Sequence, residues 1–316
     1  MWAFSFGLIK GHLVAYDPVF VAFVRLAISL LFFTPWLLRV AIPWRYSLSA
    51  MGLGAIQFGL MYCLYIASYR YLPAYAVALY TIFTPLYVIG ICDLLRRRWI
   101  KRRTAAAFMA VLGAALVTRG SFQSASALMG IGLLQLSNLC FAVGQVGYRR
   151  LVLLVRGMES AHGKKAPEAN TVSLADTPLS SRERTSPVPE AALVSWMYLG
   201  ATLVTVIATL FFTDPHRIAF DRKALLVLLY LGIVPTGLGF YLWNKGAARV
   251  SAGVLAVANN LKIPLAVLCS WFIFSESADY LRVMTSMTVI VVALFLARGG
   301  VTAGPTSEAK STSQPS

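Results

Sequence analysis

SAGVLAVANNLKIPLAVLCSWFIFSE, residues 251–276, is an apolar run long enough to cross a bilayer, and it carries Asn259, Asn260, Lys262 and Pro264 near its middle. At about 1.5 Å of rise per residue, Lys262 stands ~16 Å from Ser251, close to the midplane of a hydrocarbon layer ~30 Å thick. An ammonium at that depth costs at least about 2.5 kcal/mol against lipid, so it must face protein or water. Asn259 and Lys262 are three residues apart and share a helical face. Pro264 has no N–H, which leaves the carbonyl of Asn260 without its helical partner at nearly the same depth. A helix with these features is expected to line a polar cavity inside a membrane bundle.

The rest of the chain supports a bundle. Of its 316 residues, 58% are hydrophobic and 13% charged, and a mean hydropathy of +0.71 lies well outside the range of a soluble domain. The formal charge of +16 falls between apolar runs and not in a stripe with interleaved aromatics, so it speaks for membrane topology and against nucleic acid. Cys63, Cys92, Cys140 and Cys269 lie in or at the ends of apolar runs, with no CxxC spacing, and read as core thiols. His12, His162 and His216 fall in separate loops, which offers neither a zinc set nor a nucleophile–base pair. No GxxxxGK is present to cradle a nucleotide phosphate. No enzymatic chemistry, cofactor or metal is therefore expected.

Ten apolar runs can be drawn, at about 1–14, 19–38, 48–69, 74–95, 104–118, 128–148, 191–212, 224–243, 251–274 and 281–297. The first rises only about 21 Å, so either the first helix is short or the chain begins upstream. Lys and Arg fall mainly on one side of the alternating runs, with RRRWIKRR at 96–103 as the strongest anchor. The positive-inside rule then puts both termini in the cytoplasm of an inner or plasma membrane protein. Residues 156–190 turn to Ser, Pro, Glu, Ala and Lys without apolar periodicity, and 299–316 are similar; both are expected to be disordered.

Setting Pro85 against Pro264 places ASYRYLPAYAVALYTIFTPLYVIG beside GAARVSAGVLAVANNLKIPLAVLC. Arg70 meets Arg249, and Pro85, Leu86 and Val88 meet Pro264, Leu265 and Val267. Each proline falls in the fourth run of a set of five. Because five is odd, the second set enters the membrane in the opposite sense, the arrangement of inverted-repeat transporters with a midplane site between the halves. The expected fold class is an all-α membrane protein of ten transmembrane helices in two inverted five-helix repeats. These would be 1–119 and 120–298, the second interrupted at about 156–190, with 299–316 as a tail.

In this order the chain resembles the drug/metabolite transporter superfamily, EamA-like branch. The likeness rests on WAFSFGLIK at 2–10, DPVFVAFVRLAISLLFFTP at 17–35, PAYAVALYTIFTPLYV at 73–88, and GIVPTGLGFYLWNKGAARVSAGVLAVANNLKIPLAV at 232–267 followed by Glu276. The resemblance implies a secondary carrier or exporter whose two repeats enclose a central cavity.

The candidate substrate-binding residues are Lys262, Asn259, Asn260, Arg25, Trp2, Tyr65, Tyr80 and Trp243. Arg25, seven residues past Pro18, matches the family's recurrent arginine and suits planar carboxylate recognition; the alternative is pairing with Asp17 or Glu276. Lys262 has no acidic residue at its depth, so burial would favour its neutral form until an anion arrives. That leaves proton coupling open. The two asparagines serve either substrate or interhelical bonds. The aromatics serve either as cavity walls or as interfacial packing. Two intramembrane cations favour an anionic or zwitterionic solute, an amino acid or another carboxylate. Export of cationic or amphipathic drugs is the alternative within the family, and a non-transporting membrane scaffold the more distant one. A lipid bilayer and a small solute are the expected partners, with oligomeric state undetermined.

Overall fold

The computed structural model describes residues 2–95, 97, 124–161, 189–213, 218, 220–247 and single positions between 265 and 292. Every regular element among them is helical. Asn259, Asn260, Lys262 and the tail lie outside the described residues, as does nearly all of the 156–190 segment.

Helix α1 spans Trp2–His12, and at about 1.5 Å per residue it is shorter than a hydrocarbon layer. Helix α2, Pro18–Arg39, starts where it does for two local reasons. Pro18 sits at its first position, and Asp17 caps it by accepting from the backbone N–H of Val19 and Phe20, each at 3.0 Å. Helix α3 runs Trp44–Ser68 and α4 Ala74–Leu95. Helix α5 is Ala125–Ala161, α6 Glu190–Phe212 and α7 Arg222–Ala247. All but α1 contain a stretch long and apolar enough to cross a membrane. The protein is an integral membrane protein.

Two boundaries differ from the hydropathy runs. Helix α5 continues past residue 148 because Leu151, Val152 and Val155 keep a three-to-four spacing and are buried, although Arg149 and Arg150 interrupt the run. It enters the segment expected to be a linker and reaches Ala161. Helix α3 begins at Trp44, directly after Pro43, one turn before its apolar run.

Large side chains on the outer faces, such as Leu31 and Leu38 of α2 and Leu210, Phe211 and Phe212 of α6, are exposed, as lipid-facing positions require. Inside, α6 packs against both α2 and α3, α5 packs against α3 and α4, and α7 closes on α2. The α3–α6 crossing is a backbone-on-backbone contact. A Cβ at Gly54 would collide with the main chain of Met197, and one at Gly200 with the main chain of Met51. Small residues permit such crossings where no hydrophobic effect drives helices together.

Among the described residues the α-helical ladder is interrupted in three spans, by a 3₁₀ turn at Thr81–Phe83 of α4 and by two π turns. Ala55–Leu60 of α3 and Gly232–Leu238 of α7 are π-helical turns, the second containing Pro235. Such turns misalign the backbone carbonyls and recur at functional sites. At the α2 end of the bundle, Asp17 also accepts from Thr213 Oγ1 at 3.1 Å and lies 3.9 Å from the Arg70 guanidinium. It thereby ties α2 to the loop after α3 and to the end of α6.

Candidate functional site

Arg25 lies two turns into α2 and is 1% exposed. Its Nε donates to Thr236 Oγ1 at 2.6 Å, and its guanidinium carbon sits 4.4 Å from the centre of the Tyr62 ring. The ring face offers its quadrupole to the cation, while the Tyr62 hydroxyl and Thr236 Oγ1 share a hydrogen bond at 3.0 Å. Asp17 is committed to the α2 cap and to Arg70, so it does not neutralise Arg25. One guanidinium nitrogen, Nη1, is buried and has no hydrogen-bond partner among the described residues. A buried charged donor left unmet is costly; Glu276, the other partner expected for Arg25, lies outside the described residues.

Thr236 is held in place by the π turn around it. The Tyr198 hydroxyl donates to the carbonyls of Thr236 (2.6 Å) and Gly237 (3.1 Å). Trp2 Nε1 donates to the Pro235 carbonyl at 2.9 Å. Ser29, one turn beyond Arg25, donates to the Gly232 carbonyl at 2.7 Å. Side chains from α1, α2 and α6 thus collect the carbonyls that the interruption turns out, and with them they fix the hydroxyl that orients Arg25.

Arg25 opens onto a cavity of about 70 Å³, room for a handful of waters. Trp2, Phe6, Met61, Phe141 and Phe240 form its apolar surface, and Tyr62 and Tyr65 continue it beside Arg25. Thr81 and Thr84 of α4 and Ser137 and Asn138 of α5 form a separate polar wall. None of the described lining residues is acidic.

Of the residues expected from sequence, Arg25, Trp2 and Tyr65 line this cavity. Tyr65 bonds through its hydroxyl to that of Tyr69 at 2.6 Å. Trp243 packs edge-on against Trp2, ring centres 5.5 Å apart, behind the lining. Tyr80 lies beside the cavity, with its carbonyl accepting from Asn138 Nδ2 at 3.0 Å. Lys262, Asn259 and Asn260 lie outside the described residues. Sequence reasoning passed over Tyr62, Thr81, Thr84, Ser137, Asn138 and Thr236. Three of them carried the signal that singled out the ninth run, a polar side chain beside a proline or in mid-span: Thr84–Pro85, Pro235–Thr236 and Asn138.

A family model described as the EamA-like transporter family matches residues 1–119 and 170–298. The chain belongs to the EamA-like transporter family. A probable biotin transporter of Pseudomonas aeruginosa is 36% identical over 302 residues, covering 95% of each chain. Biotin transporters of Escherichia coli K12 and Salmonella typhimurium are 31% and 30% identical, each alignment covering 94% of this chain and 90% of the relative. A solved crystal structure superposes with a TM-score of 0.64 over 96% of this chain and 95% of its own, at 16% identity, and shows a shared fold. This EamA-like protein is accordingly a small-molecule transporter and not an enzyme. The buried cation, the apolar walls and the neutral polar side chains line one cavity of this transporter.

Proposed function

We propose that this transporter is a secondary carrier of a small carboxylate, with biotin as its first candidate, and that it works by alternating access. The observation that carries the reading is Arg25, which lines the cavity with its buried Nη1 unpartnered among the described residues. Biotin ends in a valerate carboxylate, which is the acceptor such a donor requires. Relatives named for biotin transport, aligned over nearly their full length, support that choice. Amino acids, the other solute class expected from sequence, find no such support, and their ammonium group would meet no acidic side chain among the described lining residues. Cationic drugs fail on the same ground.

Two inverted five-helix repeats, about 1–119 and 120–298, give this carrier its two faces. The π turns of α3 and α7 support the pairing: Gln57 and Thr236, one in each turn, are 179 residues apart, the separation of Pro85 and Pro264. On this arrangement Lys262, with Asn259 and Asn260, supplies the second half's cation to the same solute, and proton coupling through Lys262 makes uptake depend on a pH gradient. Both termini are cytoplasmic and the membrane is the inner one.

The test is uptake of labelled biotin into vesicles containing the purified protein. Arg25→Ala is expected to raise KM at least tenfold, consistent with the ~1.5–3 kcal/mol of a hydrogen bond to a charged group. Biotinamide, which lacks the anion, is expected not to compete with biotin at the wild-type protein. Competition by the amide equal to that of the acid, or normal uptake by Arg25→Ala, would overturn the reading.

A further inference from the structure

The polar side chains that α4 and α5 bring to the cavity have an unusual balance of hydrogen-bonding capacity. Thr81 Oγ1 donates its hydrogen to the Ala78 carbonyl at 2.7 Å, and Ser137 Oγ donates to the Met61 carbonyl at 3.0 Å. Thr84 Oγ1 donates to Asn138 Oδ1 at 3.4 Å. The Asn138 amide nitrogen donates to the Tyr80 carbonyl at 3.0 Å and to Gln135 Oε1 at 3.3 Å. Each hydroxyl has one hydrogen and an amide nitrogen has two, so every side-chain donor on this wall is already spent within the protein. What remains toward the cavity is oxygen lone pairs, on two threonines, a serine and an asparagine that all line it.

We infer that the cavity reads its solute at both ends with opposite polarity. Arg25 takes an anionic acceptor, and the wall of Thr81, Thr84, Ser137 and Asn138 takes neutral N–H donors. Apolar contacts from Phe6, Met61, Phe141 and Phe240 occupy the space between. The matching class is a carboxylate joined through an aliphatic spacer to a cyclic urea, amide or similar N–H-bearing group. This inference rests on the carboxylate reading above and adds the recognition of the far end. A wall of spent donors rejects a solute that offers only acceptors there, because lone pair would face lone pair. It also discriminates against one lacking the N–H groups, because its oxygens would be left without partners.

Three acids separate the possibilities in equilibrium binding to the purified protein: biotin, desthiobiotin, which keeps the urea N–H groups but lacks the sulfur ring, and lipoate, which keeps the valerate but has no N–H. The wild-type protein is expected to bind biotin and desthiobiotin within about threefold of each other and lipoate at least tenfold more weakly. In Thr81→Val/Thr84→Val, which removes two oxygens at constant shape, the biotin-to-lipoate ratio is expected to fall at least fivefold while lipoate affinity stays unchanged. Unchanged lipoate binding doubles as the check that the variant is folded. If that variant does not fold, the three wild-type affinities decide by themselves. Desthiobiotin weakened along with lipoate would overturn the proposal, because the sulfur ring and not the N–H groups would then be recognised. A flat ratio across the three acids would overturn it too. If the acids still outbind their amides in that case, the carboxylate reading survives alone; if acids and amides bind alike, both fail.

Discussion

The π turns in α3 and α7 each interrupt a membrane-spanning helix, yet they are secured differently. In α7, Pro235 removes a backbone donor, and the carbonyls of Gly232, Pro235, Thr236 and Gly237 are taken up by Ser29, Trp2 and Tyr198 from three other helices. In α3 there is no proline, and the turn Ala55–Leu60 lies against α6. That turn is held by packing: a Cβ at Gly54, just before it, would collide with the α6 main chain, and one at Gly59 would stand a tight 3.2 Å from the Ala201 carbonyl oxygen. Its one buried polar side chain, Gln57, makes a single 3.3 Å bond to Asn244 and leaves Oε1 without a partner. One interruption is pinned by hydrogen bonds that also aim Thr236 at Arg25. The other is seated chiefly by close packing against α6. The hydroxyl that orients Arg25 therefore sits where the backbone is pinned, which is what preorganising a charged donor requires.

Four substitutions probe that contrast, beginning with the largest effect. Gly54→Leu and Gly200→Leu each drive a side chain into the opposing backbone, which has no flexible end to yield, and neither is expected to give folded protein; monodispersity by size-exclusion chromatography in detergent checks this. Recovery of well-folded Gly200→Leu would show that packing is not what seats the α3 turn. Tyr198→Phe strips the donor from two buried carbonyls and is expected to cost about 1–3 kcal/mol, read as a lower Tm, with a raised KM for the solute because Thr236 loses its support. A lower Tm at unchanged KM would separate the pinning of the α7 turn from the aiming of Arg25. Gln57→Leu exchanges one long hydrogen bond and an unmet oxygen for apolar volume, and its Tm should stay within the equivalent of about 0.5 kcal/mol of wild type. A loss as large as that of Tyr198→Phe would mean that the α3 turn is held by polar contacts after all.

Much of the membrane architecture was legible in the sequence because it follows from local rules. Hydropathy and length define spanning helices whatever their neighbours, and six of the expected runs return as helices capable of crossing a membrane. Where the reading slipped it did so at ends: Arg149 and Arg150 lowered the hydropathy of α5, but burial of Leu151, Val152 and Val155 carried the helix on. Arg25 was visible for the same local reason, since a guanidinium inside an apolar run needs an explanation. Its partners were not. Thr236 and Tyr62 lie 211 and 37 positions away in the chain, and no periodicity links them.

Composition, hydropathy and intramembrane charge by themselves determined that this is a helical membrane protein with a polar interior, and the order of its motifs pointed to its family. Those properties are sums over single residues and short windows. Only the tertiary structure decided that Asp17 is turned to Arg70 and not to Arg25, that Tyr198 and Trp2 pin the α7 turn, and that Trp243 and Tyr80 stand behind the cavity surface. Hydrogen-bond saturation is a property of pairs brought together by folding, and a donor is spent or unmet only once its neighbours are in place.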